Sequence, residues 1–300
     1  NLEMIERERE TRELFLGEGA TPAGEGGHMF VNLGPAHPAM HGIIRIFAEL
    51  DGETVVKTDV EIGYLHRAFE KDCEVGPYNN AIPYTDRLNY VSPLINNFGY
   101  AGAVEKLLGI DITDRCKYIR VIMSEISRVC DHLTCVGASA MELGAFTVFL
   151  YMIKAREFLW ELVEDVTGAR LTISYGRVGG VKADLPAGFD LKVKKAFGEV
   201  REVLDQVHTL ITANRIFMDR MVGVGAISGP DAVAWGITGP LLRATGVNYD
   251  LRKAQPYWAY DRMQFDVPLR KKGDNFDRYL VRMKKMEESM RIADQGLVGL

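Results

Sequence analysis

The chain has 300 residues, of which 47% are hydrophobic and 26% are charged, and its formal net charge is −5 at pH 7. This composition is ordinary for a globular protein, and the length suffices for one large domain or two smaller ones. The negative charge argues against nucleic acid as a partner, and no apolar run approaches the length of a membrane-spanning helix.

Residues 1–28 are charged and then rich in glycine, and they contain no apolar segment of the kind that signal peptides carry. They are therefore predicted to form a flexible lead-in. The cysteines form no Cys-x-x-Cys pair, which argues against a disulfide framework and against a cysteine-based metal site. A reducing compartment fits this usage. The four cysteines are Cys73, Cys116, Cys130 and Cys135.

Residues 29–70 are predicted to form a small N-terminal β domain. Turn signals separate three apolar runs that predict antiparallel strands, at 29–33, 43–50 and 54–62. Between the first two runs lies the sequence NLGPAHPAMHG, which offers His37 and His41. Its prolines and glycines predict a shaped loop. Spacing alone favours the interpretation that both histidines are ordinary surface residues.

Residues 71–300 are predicted to form a helical bundle with long loops rich in glycine and arginine. Thr113 suits a helix N-cap and Gly168 a helix C-cap. Loops are predicted at 175–181 and 236–260, and loops of such length are usually functional or packed against a partner. Apolar spacing predicts helices at 93–108, from 114 onwards, at 146–166, at 186–211 and from about 274.

Two further patterns are interpreted as structural. The sequence GVGAISG at 223–229 resembles a dinucleotide-binding fingerprint, but its third glycine is displaced and no strand-to-helix context flanks it, so a turn is predicted. No histidine pair has metal-ligand spacing on a helix, so no metal site is expected. His132 lies between Val129 and Leu133, which favours a core histidine with satisfied ring nitrogens over a functional one.

The sequence YTDRLNY at 84–90 places two tyrosines and an Asp–Arg pair just before a predicted helix. A tyrosine hydroxyl can donate a hydrogen bond, or a proton, to an oxygen atom of a ligand. The alternative is a loop that aromatic packing holds in place.

Seven motifs in chain order together resemble one family, the D subunits of proton-pumping NADH–quinone oxidoreductases, which are also called respiratory complex I. The resemblance covers residues 29–300. The motifs are GPAHPAMHG (34–42), GYLHR (63–67), YTDRLNY (84–90), AVEKLLG (103–109), MELGA (141–145), RVGGV (177–181) and RATGVNYD (243–250).

The resemblance implies an α+β, mostly helical fold related to the large subunit of nickel–iron hydrogenases, with a small N-terminal antiparallel β domain and a central helical bundle. It also implies a quinone cavity beside the iron–sulfur B subunit, whose 4Fe–4S cluster supplies electrons, and above the membrane-embedded H subunit. The C and I subunits are further expected partners. The chain would lie peripherally on the cytoplasmic side of the bacterial inner membrane, attached through its partners.

In such relatives the second histidine of the Gly-Pro loop and the tyrosine that ends the 84–90 motif hold the quinone headgroup. These positions are His41 and Tyr90 here. An acidic residue pairs with that histidine, and its position is Glu142. Relatives often have aspartate there, so the pairing geometry differs in this chain. Relatives also continue beyond the position of Leu300, so the chain is expected to be a fragment.

A nickel–iron hydrogenase needs two Cys-x-x-Cys pairs as metal ligands. The segment that would hold the first pair corresponds to 84–90, which contains no cysteine, so this chemistry is rejected. Two alternatives to a quinone-site subunit of an NADH–quinone oxidoreductase stay open. The first is a non-catalytic scaffold subunit, and the second is a quinone-site subunit of an enzyme that takes electrons from ferredoxin.

Overall fold

The computed structural model describes residues 28–300. The chain divides into two compact units, Asn1–Asp72 and Cys73–Leu300. The predicted lead-in over residues 1–28 lies outside the described residues, apart from His28.

The first unit contains a three-stranded antiparallel sheet with strand order β1–β2–β3. The strands are β1 (Met29–Leu33), β2 (Arg45–Asp51) and β3 (Thr54–Glu61). Met29 pairs with Leu50, and Asp51 pairs with Thr54 across the predicted Asp-Gly turn. The expected small antiparallel sheet is confirmed. Strand β2 begins at Arg45, two residues later than the apolar run predicted.

The second unit is mostly helical, as predicted. Short 3₁₀ turns cover Tyr78–Ala81 and Tyr260–Arg262, and a π-helical turn covers His208–Thr212. A two-residue hairpin is formed by β4 (Gly176–Arg177) and β5 (Gly180–Val181). The α-helices are α1 (Phe69–Glu74), which contains the boundary between the units, α2 (Ile82–Thr85), α3 (Pro93–Leu108), α4 (Asp114–Glu142), α5 (Phe146–Thr167), α6 (Phe189–Val207), α7 (Arg215–Met221), α8 (Gly229–Ala234), α9 (Gly239–Ala244), α10 (Leu251–Ala254) and α11 (Asn275–Val298).

The long helix α4 forms the centre of the second unit and packs against both α5 and α11. Its apolar residues recur at helical spacing, and those from Ile122 to Leu133 are fully enclosed or nearly so. Two glycines allow these helices to approach closely. A Cβ atom on Gly137 would lie 2.9 Å from Cβ of Met152, and one on Gly296 would lie 2.7 Å from Cγ1 of Ile122.

Local signals set the ends of the long helices. The Thr113 hydroxyl accepts a hydrogen bond from the Cys116 amide, and the Asp274 carboxylate accepts one from the Asp277 amide. Gly168 ends α5 in the left-handed conformation with φ of 84°. The predicted caps Thr113 and Gly168 are confirmed.

The predicted loop at 236–260 contains more regular structure than expected. Helix α9 begins at Gly239 with Pro240 in its first turn, and α10 covers Leu251–Ala254. A Gly-Pro pair looks like a turn in sequence, although proline is also favoured in the first turn of a helix. The segment 223–228 contains a turn, as predicted, with positive φ at Gly223 and Gly225, and Gly229 is already the first residue of α8.

None of the helices within residues 28–300 combines the length and the apolar character that crossing a lipid bilayer requires.

Candidate functional site

The segment 84–90 is fixed to the second unit through the buried carboxylate of Asp86. One carboxylate oxygen accepts a hydrogen bond of 2.7 Å from Nδ2 of Asn97 on α3. The other accepts from the hydroxyl of Ser174 at 2.5 Å and from its backbone amide at 3.0 Å. Asp86 is fully enclosed, so these neutral donors take the place of water around its charge. The segment therefore has a defined position against α3.

Asn97 connects this segment to the hairpin β4–β5. Its Nδ2 also donates to the Thr85 hydroxyl at 2.9 Å, and its Oδ1 accepts from the backbone amide of Tyr175 at 3.1 Å. Gly176 follows in close contact, because a Cβ atom there would lie 3.0 Å from Cβ of Asn97. The motifs 84–90 and 177–181, which are far apart in sequence, thus adjoin one another.

Tyr90 ends the segment with its side chain 58% exposed. The preceding residue, Asn89, donates through Nδ2 to Asp131 on α4 at 2.8 Å and to the Ser92 hydroxyl at 2.9 Å. The backbone next to Tyr90 is therefore anchored while its phenol remains open to solvent. This combination suits a side chain that has to meet a ligand rather than fill a core.

Arg156 on α5 lies near Tyr90. Burial lowers the pKa of its guanidinium, and the nearby Cys130 and Tyr90 act in the opposite direction. The guanidinium stacks on the Trp160 ring at 3.9 Å and donates to the Thr134 hydroxyl at 3.1 Å. These contacts hold the guanidinium in a defined place beside the end of the segment 84–90.

Glu142 is the last residue of α4 and is exposed. The helix ends there because Gly144 takes a positive φ of 91°, and the backbone amide of Ala145 bonds back to the carbonyl of Ala140 at 2.8 Å. The negative end of the helix dipole disfavours a carboxylate at this position by about 0.3–1 kcal/mol. A position that is unfavourable for stability is consistent with a functional carboxylate.

His41 is exposed and lies in the first unit, in the loop between β1 and β2. The loop is shaped by Gly34, whose φ is 104° and where a Cβ atom would lie 2.2 Å from the carbonyl oxygen of Ile44. Within the loop, the Ala39 amide donates to Nδ1 of His37 at 3.1 Å. His37 is thus part of the loop's own structure, whereas the resemblance assigns the ligand to His41.

Of the three residues that the resemblance groups, His41 belongs to the first unit, and Tyr90 and Glu142 belong to the second on separate elements. Their grouping around one ligand remains a prediction. Across residues 28–300 there is no group of three or more His, Cys, Asp or Glu side chains suited to a metal ion.

His132 corrects one interpretation from the sequence. It is buried in the core, as expected, but neither ring nitrogen has a hydrogen-bond partner among the described residues. Burial, followed by the positive charges of Lys285 and Arg282, lowers its pKa well below the ordinary value. The apolar neighbours of His132 in the sequence indicate that it faces the core. They do not show which groups it contacts there.

Sequence reasoning also missed a buried ionic network around Glu125, which joins α4 to α10. Arg252 donates to both Glu125 and Asp250, at 3.1 Å and 2.8 Å. The charged residues of both signs in the loop at 236–260 could have indicated this network, because such a long loop is often packed against the rest of the protein.

Comparison with known proteins places these features in a family. A profile of the family described as respiratory-chain NADH dehydrogenase, 49 kDa subunit, matches residues 142–300. The chain is 54% identical to the NADH-quinone oxidoreductase D subunit 1 of Sorangium cellulosum, with 90% of this chain and 67% of that protein covered. It is 53% identical to the D subunit of the Myxococcus xanthus enzyme, with 90% and 65% covered.

A third relative, the C/D subunit of NADH-quinone oxidoreductase from Bdellovibrio bacteriovorus, is 51% identical, with 88% of this chain and 47% of that protein covered. The chain therefore spans about two thirds of the length of these D-subunit relatives and about half of the C/D protein.

Proposed function

The chain belongs to the family of the 49 kDa subunit of respiratory-chain NADH dehydrogenase, and on this premise we propose that it is the quinone-site subunit of a proton-pumping NADH–quinone oxidoreductase. Electrons reach the quinone from a 4Fe–4S cluster in the neighbouring B subunit. This chain supplies the groups that hold the quinone headgroup and protonate it.

The observation that carries the proposal is the state of Tyr90. Its phenol is exposed, and the backbone around it is fixed by Asp86 and by Asn89. A catalytic donor has to be held in one place because a small displacement from the reacting atom lowers the rate strongly. An aromatic anchor of a loop, which is the alternative, would instead bury its ring.

The chemistry requires two electrons and two protons for each quinone that becomes a quinol. Each carbonyl oxygen gains negative charge as electrons arrive, and a donor aimed at that oxygen stabilises the charge. Tyr90 donates the proton of its hydroxyl to one oxygen, and His41 donates a ring N–H proton to the other. Glu142 is the carboxylate that the resemblance pairs with His41.

Proton donation then changes the charge of the His41–Glu142 pair, and this change is the signal that starts proton pumping in the membrane arm. Glu142→Gln is expected to leave quinone reduction measurable while lowering the number of protons pumped per quinone. Normal pumping by this variant in sealed vesicles, at an unchanged rate of quinone reduction, would refute this role.

The partners are the B, C, H and I subunits, and the chain is held peripherally on the cytoplasmic side of the inner membrane through them. The name of the Bdellovibrio relative supports contact with the C subunit, because in that protein the letters C and D apply to one chain. The net charge of −5 supports the expectation that nucleic acid is not a partner.

NADH is proposed as the electron source because the relatives are named for it. An enzyme fed by ferredoxin would differ in other chains. A pure scaffold role is the remaining alternative, and it predicts that Tyr90 and His41 can be changed without any effect on quinone reduction.

The test compares membranes that carry Tyr90→Phe with membranes that carry Tyr78→Phe, a control whose side chain is similarly exposed at 54%. NADH oxidation is measured with quinone and with an artificial acceptor that bypasses the quinone site. We expect Tyr90→Phe to lose the quinone rate alone. Loss of both rates would indicate a role in assembly, and retention of both would show that Tyr90 is not the donor.

A further inference from the structure

The middle of α4 faces a concentration of basic side chains that are buried or partly buried. Helices α4 and α11 and the segment 239–254 meet there, and burial or mutual repulsion acts on the basic side chains that they contribute. We call these side chains the basic cluster. They are Arg128 and His132 from α4, Arg282 and Lys285 from α11, and Arg243 and Arg252 from the segment.

Two buried carboxylates face the arginines of the basic cluster, and the first is Glu125. It accepts hydrogen bonds from Arg252 at 3.1 Å, from Arg128 at 3.2 Å and from the Tyr260 hydroxyl at 2.6 Å. Three donors converge on its two oxygens, so the negative charge of Glu125 is committed to Arg128 and Arg252.

The second carboxylate, Asp250, is also committed to Arg252. It accepts from Nε of Arg252 at 3.0 Å and from Nη2 at 2.8 Å, in the two-point geometry typical of arginine and carboxylate. Nη1 of Arg243 lies 3.6 Å from Asp250, a longer and weaker approach. The carboxylates of Glu125 and Asp250 are thus outnumbered by the basic side chains around them.

Several nitrogens of the basic cluster have no partner. Nε and Nη2 of Arg243, and both ring nitrogens of His132, are closed to solvent and have no hydrogen-bond partner within residues 28–300. The two side chains are 3% and 5% exposed. Buried polar atoms are nearly always bonded, so the two N–H groups of Arg243 and the one N–H of the neutral His132, which Arg243 is near enough to affect, point to a missing acceptor.

Asp131 does not fill this role. Its Oδ2 lies 3.5 Å from Nδ1 of His132 without forming a hydrogen bond, and its Oδ1 already accepts from Asn89 at 2.8 Å. The nearest further carboxylate therefore belongs to the anchor of Tyr90 and leaves the nitrogens of His132 unsatisfied.

The electrostatic effect on Lys285 points the same way. Burial, and then the positive charges of Arg128 and Arg243, hold its pKa well below the ordinary range. The groups that face Lys285 from the other elements are Arg128 and His132 on α4, and Arg243, Asp250 and Arg252 in the segment. The surroundings of this amine therefore carry an excess of positive charge.

We propose that the basic cluster is an anion site that takes one carboxylate, held between Arg243, His132 and Lys285. Nε and Nη2 of Arg243 form the side-on pair that binds the two oxygens of a carboxylate together. The single N–H of the neutral His132 and the amine of Lys285 supply donors for the remaining lone pairs. Because the free nitrogens are closed to solvent, entry requires a side chain to move, and the flexible stem of Lys285 permits this.

The first experiment measures thermal unfolding of the purified chain in sodium formate and in sodium chloride at equal ionic strength. We expect formate to raise the unfolding midpoint by several degrees and in a saturable way. Lys285→Met should abolish this response, since methionine keeps most of the stem and removes the ammonium. Lys284→Met is the matched control, because Lys284 is the preceding residue on the same helix and its side chain is 60% exposed.

Three results would overturn the proposal: equal midpoints in formate and chloride, an unchanged formate response in Lys285→Met, or sulfate acting as strongly as formate. The last of these would show that the site does not select a carboxylate. Because Lys285→Met removes a buried amine from positively charged surroundings, it should itself fold readily.

A second experiment distinguishes a free carboxylate from one carried by a protein segment. Hydrogen exchange of the backbone of residues 281–289 is followed in the purified chain and in the assembled membrane enzyme, with and without formate. Protection in the assembled enzyme without formate indicates a protein carboxylate, and protection only with formate indicates a free one. If formate changes exchange in neither sample and both exchange alike, the proposal fails.

Discussion

The guanidinium of Arg252 donates through Nη1 to both carboxylate oxygens of Glu125, at 3.1 Å each, although the two residues are 127 positions apart. Both side chains are almost fully enclosed. This contact joins the segment that contains α10 to the central helix α4, and it fixes a long stretch of chain that has little regular structure of its own.

Glu125→Gln is expected to destabilise the chain by about 3 kcal/mol, because it removes the carboxylate that Arg128 contacts and one of the two that Arg252 contacts. Glu202→Gln on α6 is the control, since this exposed position should change the free energy of unfolding by less than about 0.5 kcal/mol. Urea unfolding followed by circular dichroism measures both. Equal midpoints for the two variants would contradict the assignment.

The same contact predicts a pH dependence of stability. Burial alone would raise the pKa of Glu125, but the charges of Arg128 and Arg252 outweigh it and hold the pKa at about 2, against 4.5 for an unperturbed glutamate. A lowered pKa means that the stabilisation is complete above pH 4.5 and is lost as the pH falls towards 2.

We therefore expect the difference in unfolding free energy between the wild type and Glu125→Gln to be constant near neutral pH and to shrink by about 3 kcal/mol on acidification. Urea titrations at a series of pH values measure it. A difference that stays constant down to the acid limit would show that folding does not lower the pKa of Glu125.

The long helices could be predicted from sequence because their signals are local. Apolar spacing placed α3 at its observed bounds, and the Thr113 and Gly168 caps set one end each of α4 and α5. The short helix α9 was missed, because six residues that begin with Gly-Pro carry no periodic signal.

The contacts that hold the candidate site could not be predicted in this way. Asp86 bonds to Ser174, 88 residues further along the chain, and no periodic pattern records which distant partner a buried carboxylate will meet. The motif 84–90 drew attention to Tyr90 and to the Asp–Arg pair. The motif does not encode the distant contacts through which Asp86 anchors the segment. Nor does it show that Tyr90 is left exposed.

Two glycine substitutions should have opposite effects on stability. Gly137→Ala places a Cβ atom 2.9 Å from Cβ of Met152 between α4 and α5, and overpacking of this kind costs about 1–3 kcal/mol. Gly198→Ala on α6 meets nothing within 4 Å and should stabilise by about 0.5–1 kcal/mol through the higher helix propensity of alanine. Thermal unfolding compares them, and a stabilising Gly137→Ala would show that α4 and α5 lie further apart.

The last prediction concerns Asp86 as a positioning residue for Tyr90. Asp86→Asn replaces one carboxylate oxygen, which accepts from Ser174 or Asn97, with an amide nitrogen that can only donate. The segment 84–90 should loosen, and the misplaced Tyr90 phenol should lower the rate of quinone reduction by about ten- to a hundredfold. The rate with an acceptor that bypasses the quinone site should be unchanged.

Asp111→Asn, an exposed aspartate in the same unit, is the control for the charge change. The double variant Asp86→Asn with Tyr90→Phe separates positioning from a general loss of folding. If Asp86 acts only through Tyr90, adding Asp86→Asn to Tyr90→Phe should not lower the rate of quinone reduction below that of Tyr90→Phe alone. An additional loss of similar size in the double variant would mean that Asp86 supports the site by another route.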